Sequence, residues 1–203
     1  MITLLFQRHF HVFFFTVVLS FNIFTNTSLG IRYAGSGSTE FIRQSCKATL
    51  YPALCYNSLS IYANSIQTNP RLLADTALSV SLSATQNTSS FMRKQSRGPE
   101  IKPRDVGPMR DCLKVLGDAV HELKDSIAEM AHINNDKNFR FLMSNIQTWV
   151  SAALTNEDTC TDGFSQKAMD SKVKMVVTQK IKSIAQLTSN ALALINNYAS
   201  DHV

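Results

Sequence analysis

The stretch WVSAALTNEDTCTDGF, residues 149–164, begins with apolar residues at helical spacing and ends on a cysteine, an acid and a glycine. Such a sequence is either a loop around a reactive thiol or the end of a helix that a disulfide fixes in place. The choice depends on the compartment in which the protein folds and on the partner of Cys160. Both are encoded elsewhere in the chain.

The N-terminal segment differs in composition from the remaining sequence. Residues 1–30 contain no acidic residue and a single arginine, Arg8, ahead of an apolar run over 12–24. A basic start, an apolar run and small residues after it predict a signal peptide over residues 1–30, with cleavage between Asn26 and Ala34. A membrane anchor is the alternative, but spanning a bilayer takes roughly 20 apolar residues. We therefore expect a secreted protein that has no membrane association after cleavage.

Size and charge narrow the class of protein further. Removing the signal peptide leaves about 170 residues, enough for one domain with a hydrophobic core. The full chain of 203 residues has a formal net charge of +5, and its basic residues are spread along the sequence except in one region. Basic motifs with interleaved aromatic residues do not occur, so nucleic acid is not expected as a partner.

Secretion changes the meaning of the cysteines. The chain has four of them, Cys46, Cys55, Cys112 and Cys160. An even number in an oxidising compartment predicts two disulfides, with three possible pairings. Of two glycosylation sequons, the one clear of the predicted cleavage region is at Asn87, which is the expected glycosylation site.

Helical periodicity dominates the remaining sequence, and alternating strand patterns are scarce. In chain order, the predicted helices are a short one capped by Ser38 or Thr39, one from Pro52 to about Ile66, one from Pro70 to about Phe91, one from about Met109 to Met130, one from about Lys137 to about Thr159, and one from Val173 to Tyr198. The predicted breaks between the long helices are a proline-rich loop over 97–108, a turn over 134–136 and a turn at Asp162–Gly163. Consecutive long helices with short connections lie antiparallel. The sequence therefore predicts an all-α domain over residues 38–199, an up-down-up-down four-helix bundle preceded by an N-terminal helical hairpin.

This arrangement favours one pairing of the cysteines. Cys112 lies near the start of one predicted helix and Cys160 at the end of the next. Both helices are about 30 Å long. In an antiparallel pair of equal length, the start of the first helix lies beside the end of the second, so these two cysteines meet at the same end of the pair. Cys46 and Cys55 can meet within the N-terminal hairpin. We predict disulfides 46–55 and 112–160, which makes Cys160 a structural residue rather than a reactive thiol.

The sequence offers no catalytic or metal site. It has no Gly-x-Ser-x-Gly motif, no phosphate-binding glycine loop and no pair of cysteines at zinc-ligand spacing. His121 and His132 are separated by about 16 Å along one helix, too far to share a metal ion. We therefore expect a protein without enzymatic activity, cofactor or metal.

One helix carries an acidic ridge with spacings of four, three and four residues, formed by Asp118, Glu122, Asp125 and Glu129. Residues at these spacings share a helical face. The ridge is either an ordinary solvated surface or a negative surface that attracts a basic partner. Trp149 is similarly open to two interpretations, as a core residue or as a contact residue.

Four separated motifs together resemble the plant invertase and pectin methylesterase inhibitor family. They are CKATLYPALCYNSL over 46–59, RDC over 110–112, WVSAALTNEDTCTDGF over 149–164 and QLTSNALALIN over 186–196. The resemblance extends over residues 38–199 and implies a four-helix bundle with an N-terminal hairpin and two disulfides. It also implies a secreted protein of the plant apoplast and cell wall. Such a protein blocks the pectin-binding cleft of pectin methylesterase in a non-covalent 1:1 complex.

Within the family, the sequence is more similar to inhibitors of the esterase than to inhibitors of invertase. Invertase inhibitors typically carry Pro-Lys-Phe between the two central helices, where this chain reads Asp-Lys-Asn-Phe over 136–139. An invertase inhibitor remains the alternative, as does a non-inhibitory module that binds pectin weakly through its basic region. That basic region contains Arg93, Lys94, Arg97, Lys102, Arg104 and Arg110 and is otherwise a flexible solvated loop.

The resemblance also implies which residues contact the partner enzyme. By position in the family motifs, the candidates are Asp118 on the ridge, Asp136 in the loop between the two central helices, and Thr159 and Asp162 in the turn at the Thr-Cys-x-Asp motif. Glu122 is added because it lies on the acidic ridge. At the upper end of this ridge the chain has Lys114, where a relative can have an acid.

Overall fold

The computed structural model describes residues 35–99, 101–133, 136–165 and 172–202, and the predicted signal peptide lies outside this part of the chain. All regular structure in the described residues is helical. The helices are α1 Ser36–Cys46, α2 Pro52–Leu59, α3 Ala63–Ile66, α4 Pro70–Gln95, α5 Pro103–Ala131, α6 Phe139–Ser165 and α7 Lys172–Ser200, with single 3₁₀ turns at Ser60–Tyr62 and Asp136–Asn138.

The first two helices form the predicted N-terminal hairpin. The disulfide between Cys46 and Cys55 joins α1 to α2, with 5.6 Å between the two Cα atoms. Pro52 occupies the first turn of α2, where its missing N–H is not needed. On α7, the side chain of Asn190 accepts a hydrogen bond from the Tyr51 N–H and donates one to the Tyr51 carbonyl, both at 3.0 Å. This pair of bonds fixes the hairpin turn to the bundle.

The start of α1 differs from the prediction. The helix begins at Ser36 with Gly35 as its N-cap, rather than after a cap at Ser38 or Thr39. The Thr39 hydroxyl donates to the carbonyl of Ser36 inside the first turn, at 3.1 Å. A side chain that bonds backward in this way does not cap the turns that follow it.

Helices α4 to α7 form the four-helix bundle that the sequence predicted. Neighbours in the chain pack side by side, with the most extensive contact between α5 and α6, and α4 closes the ring against α7. The N-terminus of α4 follows the expected pattern: Asn69 accepts a hydrogen bond from the Leu72 N–H at 3.1 Å, and Pro70 follows in the first turn. The predicted fold class is confirmed.

The predicted loop over 97–108 is wrong in its second half. Helix α5 begins at Pro103 rather than at Met109, and it continues through Pro108. A proline so close to a helix start removes one backbone hydrogen bond, which costs stability. The complete burial of the apolar Met109 side chain, which directly follows Pro108, holds this part of the helix in place. Tertiary packing of the inner face therefore outweighs the cost of placing a proline inside the helix.

The predicted break at Asp162–Gly163 is also wrong, because α6 continues through both residues to Ser165. A glycine inside a helix costs only about 1 kcal/mol relative to alanine. The Phe164 side chain is completely buried. Its burial contributes about 1.5–3 kcal/mol, which exceeds the cost of the glycine. Conversely, the single helix expected from Pro52 to Ile66 is divided by the 3₁₀ turn into α2 and α3.

The core has two apolar clusters. The lower cluster contains buried residues of α1–α3 together with those of segments 73–78, 119–133, 139–153 and 191–198. The upper cluster lies at the other end of the bundle and contains Met92, Met109, Cys112, Leu116, Cys160, Phe164, Val177, Ile181 and Ile184.

Between the two clusters lies a polar layer, composed of Ser81 and Thr85 on α4, Glu157 on α6 and Thr188 on α7, all buried. On each of these three helices, the polar residues separate the part that packs in the lower cluster from the part that packs in the upper one. These three helices therefore run without a break through the core, whereas the polar layer divides their apolar contacts into two clusters.

Candidate partner-binding surface

The acidic ridge of α5 is divided between the helix interface and the solvent. Glu122 accepts a hydrogen bond from Asn156 of α6 at 2.9 Å, and Glu129 accepts one from Asn145 of α6 at 2.8 Å. Asp118 and Asp125 are exposed. Half of the ridge therefore joins α5 to α6, and the other half presents carboxylates on the surface.

The position of Glu122 affects its ionisation. Partial burial between the helices raises the pKa of Glu122 above its ordinary value, and the negative charges of Asp118 and Asp125 raise it further. The hydrogen bond from Asn156 acts in the opposite direction, because it stabilises the ionised form. The Glu122 carboxyl thus binds a proton more readily than a free glutamate does.

Thr159 and Asp162 lie on the last two turns of α6, both exposed. The predicted turn at the Thr-Cys-x-Asp motif is wrong, because α6 continues past both residues and buries Phe164. The Thr159 hydroxyl donates to the carbonyl of Thr155 at 2.7 Å, so its oxygen still has a lone pair for a partner. These side chains project from a rigid helix rather than from a loop.

A disulfide fixes the position of this helix end. It joins Cys112 to Cys160, with 4.5 Å between the Cα atoms, and holds the start of α5 against the end of α6. A groove of about 380 Å³ lies beside the disulfide, lined by Gly107, Pro108, Asp111, Cys112, Val115, Thr159, Cys160 and Gly163. Thr159 is thus placed at the edge of a concave surface, and both disulfides join the pairs that the sequence predicted.

The structure brings some of the candidate contact residues together and separates another. Asp118 lies six residues beyond Cys112 on α5, about 9 Å along the helix axis, and so in the same half of the α5–α6 pair as Thr159. Asp136 lies in the 3₁₀ turn at the opposite end of this pair. It is about 30 Å from Thr159 along α6. A single partner that touches both must cover the whole length of the two helices.

Glu157 is a completely buried carboxyl group that the sequence motifs did not indicate. Its Oε1 atom accepts hydrogen bonds from the hydroxyls of Thr85, at 2.9 Å, and Thr188, at 3.1 Å. Burial raises the pKa of Glu157 to about 7, against the lowering effect of the two hydroxyls. A signal was present in the sequence, because Glu157 falls on the inward face of α6, four residues after Ala153 and three before Cys160.

The Thr85 hydroxyl lies between two acceptors, one on its own helix and one on α6. The Thr85 hydroxyl is 2.9 Å from the carbonyl oxygen of Ser81 as well as 2.9 Å from Glu157 Oε1. One hydroxyl has a single hydrogen and cannot donate to both acceptors. If the carboxyl is protonated and donates to Thr85 Oγ1, Thr85 can donate to Ser81 and both bonds are satisfied.

Other predicted features occupy unremarkable positions. His121 and His132 are exposed, and the described residues contain no group of three or more potential metal ligands. Trp149 is half-buried and therefore fits neither of its two interpretations fully. Asn87 is exposed on α4, which is compatible with glycosylation. None of the helices in the described part of the chain has the length and apolar character required to cross a membrane.

Comparison with known proteins gives a consistent result. Residues 40–194 match the family model described as plant invertase/pectin methylesterase inhibitor. A "21 kDa protein" of Daucus carota is 46% identical, over 81% of this chain and 86% of its own, and Pectinesterase inhibitor 11 of Arabidopsis thaliana is 45% identical, over 93% of this chain and 96% of its own. The fold is similar to that in a crystal structure of a mutant form of a pectin methylesterase inhibitor from Arabidopsis, with a TM-score of 0.62 and 24% sequence identity. The similarity covers 79% of this chain and 97% of the inhibitor chain in that crystal structure. The chain therefore belongs to the plant invertase/pectin methylesterase inhibitor family.

Proposed function

We propose that this protein is a secreted, non-catalytic inhibitor of pectin methylesterase that acts in the plant cell wall. The observation that carries the proposal is the similarity to Pectinesterase inhibitor 11, which extends over almost the full length of both chains. A match of this extent includes the α5–α6 pair and both disulfides. The organisation of the α5–α6 surface supports the proposal physically.

The proposed inhibitory surface is formed by α5 and α6. It includes Asp118 and Glu122 on the first helix, Thr159 and Asp162 on the second, and Asp136 in the turn that joins them. The disulfide between Cys112 and Cys160 and the two asparagine–glutamate bonds hold these helices together before any partner binds. A rigid surface loses little conformational entropy on association, which favours tight binding without covalent chemistry. The bundle would lie across the pectin-binding cleft as a 1:1 complex.

Two single substitutions test this surface. Asp118→Ala and Thr159→Ala should each weaken inhibition of pectin methylesterase by roughly 5–30-fold, the effect of losing about 1–2 kcal/mol at a contact residue. Asp118→Asn separates loss of charge from loss of size. Inhibition constants are measured with purified, oxidised protein, and circular dichroism checks that each variant is folded.

A matched control is available on another helix. The Thr76 hydroxyl of α4 donates to the carbonyl of Leu72, four residues earlier, in the same way that Thr159 donates to Thr155. Thr76→Ala therefore removes the same local bond outside the proposed surface and should leave inhibition unchanged. Unchanged inhibition by Asp118→Ala and Thr159→Ala would place the inhibitory surface elsewhere.

Parallel assays decide between the candidate functions. The protein is titrated into separate pectin methylesterase and invertase reactions at mildly acidic pH. Inhibition of the esterase supports the proposal, and inhibition of invertase alone would replace it with the family's other activity. Inhibition of neither enzyme would favour a non-inhibitory module that binds pectin.

A further inference from the structure

Positive charge is concentrated at the upper end of the bundle, where α4 and α6 end and α5 and α7 begin. We call this surface the basic end, and its exposed cations include Arg93, Lys94, Arg97, Lys102, Arg104, Arg110 and Lys180. Part of the charge is balanced: Arg110 pairs with Asp111 at 3.5 Å, and Arg104 is 3.9 Å from buried Asp105. Among the described residues, two further acids near this end, Asp158 and Asp162, belong to α6, on the side of the proposed inhibitory surface. The cations of α4 and α7 therefore dominate the opposite side.

The contribution of α7 is visible only in the structure. The Nζ atom of Lys180 lies 4.8 Å from the centroid of the Phe91 ring on α4. This contact places the lysine beside the last turn of α4, which carries Arg93 and Lys94, although 86 residues separate Lys180 from Lys94 in the sequence. On the other side of that turn, the sulfur atoms of Met92 and Cys112 are 3.8 Å apart, which brings the start of α5 to the same level. Charges from three helices thus converge on one rigid end.

Helix stability does not explain all of these cations. Arg93 and Lys94 in the last turn of α4 are favourable, because the C-terminal end of a helix carries partial negative charge. Lys102 and Arg104, by contrast, flank the N-terminus of α5, where partial positive charge makes a cation unfavourable. The first turn of α7 begins at this same end and has no acidic residue. At this end the partial negative charges where α4 and α6 finish offset the partial positive charges where α5 and α7 begin. The positive field therefore comes from the side chains, and it attracts anions.

We propose that the basic end binds an acidic polysaccharide, namely pectin whose methyl esters have been removed. The inference rests on the proposed function, because the reaction that the protein would inhibit converts each methyl ester into a carboxylate. A polymer with a carboxylate on every sugar has the charge and the extended form that suit a row of cations on one rigid surface. The inhibitor would then be retained where its target enzyme has already acted.

The arrangement of the bundle allows both surfaces to operate together. Arg93 and Lys94 lie on α4 and Lys180 on α7, and these two helices pack against each other on the side of the ring away from α5 and α6. The proposed enzyme contacts, including Asp118 and Thr159, lie on α5 and α6. A polysaccharide held by α4 and α7 therefore need not be displaced when the enzyme binds.

The test uses the oxidised protein and two triple variants that remove equal charge. The first, Arg93→Gln with Lys94→Gln and Lys180→Gln, should weaken binding to polygalacturonate by about tenfold, since each exposed charge pair contributes modestly. The control, Lys47→Gln with Lys124→Gln and Arg140→Gln, alters exposed cations outside the basic end and should change binding less than twofold. Wild-type binding should weaken as salt is raised, because ions screen exposed charges. Inhibition of pectin methylesterase should be the same in the first variant as in the wild type.

Three further probes complete the experiment. Fully methyl-esterified pectin should bind much more weakly than polygalacturonate, because it lacks the carboxylates. Vesicles of phosphatidylglycerol test a lipid surface instead, since exposed Val106 and Met175 lie near the same end. Equal binding to esterified pectin, stronger binding to vesicles, no binding to polygalacturonate at low salt, or equal loss in the control variant would each overturn the inference. The inhibition assay is separate, so a failure of the proposed function is recognised independently of a failure at the basic end.

Discussion

The two apolar clusters of the core differ in the extent of their packing and in the length of the loop that their disulfide closes. The lower cluster draws on all seven helices and includes aromatic packing, with the rings of Phe139 and Tyr198 edge to face at 5.7 Å. Its disulfide, between Cys46 and Cys55, closes a local segment with a sequence separation of 9. The upper cluster has fewer residues, and its disulfide, between Cys112 and Cys160, spans a separation of 48. Where packing is extensive the cross-link is local, and where packing is limited the cross-link joins two long helices beside the candidate site.

The largest expected effect comes from removing these disulfides one at a time. Loss of the upper one, by Cys112→Ala with Cys160→Ala, should reduce the free energy of unfolding by about 4 kcal/mol. Loss of the lower one, by Cys46→Ala with Cys55→Ala, should reduce it by about 2.5 kcal/mol, because the loop it closes is shorter and restricts the unfolded chain less. Urea unfolding of both double variants measures the difference.

The same two double variants can also disprove the claim that the upper disulfide contributes more to stability than the lower one. An equal or smaller loss from the upper pair would contradict the comparison, because the longer disulfide loop would then not stabilise the fold more than the shorter one. Single substitutions are avoided, because an unpaired thiol in a secreted protein can form the wrong bridge.

The second effect concerns the polar layer between the clusters. The Glu157 carboxyl titrates at about 7 in the folded protein and near 4.5 when exposed in the unfolded chain. Between these values the folded state binds more protons, so stability should fall as the pH rises from about 4.5 to above 7. The gap between the two pKa values corresponds to about 3 kcal/mol. Urea unfolding at a series of pH values measures this loss.

Glu157→Gln is the variant that isolates this effect, because glutamine keeps the shape and cannot ionise. It should flatten most of the pH profile and be more stable than the wild type at pH 8. The charged groups that affect Glu157 are Asp158 beside it and Glu122 on α5, whereas α4 and α7 present the hydroxyls of Thr85 and Thr188. A smaller slope of the same sign should remain from Glu122, whose pKa is also raised. A variant that keeps the full slope would show that Glu157 is not the responsible group.

The smallest effect is a stabilisation near the upper cluster. Gly163 lies inside α6, and a Cβ atom added there meets nothing within 4 Å. Gly163→Ala should therefore raise the free energy of unfolding by roughly 0.4–1 kcal/mol, because alanine restricts the unfolded chain. Gly117→Ala, at an equally open position inside α5, is the matched comparison. A loss of stability at Gly163 alone would show that the end of α6 requires glycine.

Most of the fold follows from local patterns in the sequence. On α5, for example, the buried residues Leu116, Ala119 and Leu123 recur at helical spacing, and apolar residues at this spacing share one face that can be buried together. The errors occur at Pro108 and Gly163, where a residue that usually ends a helix is outweighed by burial of its neighbours. Such burial depends on contacts between distant segments, which no local pattern contains.

The candidate site was predictable as individual residues but not as a surface. Asp118 and Thr159 belong to motifs that stand out in the sequence, and their roles remain predictions. The bond from Asn156 to Glu122 could not be anticipated, because it depends on the relative rotation of α5 and α6. Likewise, a glutamate on an inward face is recognisable, but its partners on two other helices are not.

The polar layer also determines how the bundle opens. Each long helix continues through this level. On α4, α6 and α7, however, the apolar packing stops on one side of the layer and resumes on the other. Separation of the upper helix ends therefore exposes little of the lower cluster and requires less free energy than complete unfolding. Amide hydrogens near Ile181 should consequently exchange with solvent through a partial opening of the bundle. Those near Ile146 should exchange more slowly, because their exchange requires unfolding of the whole domain.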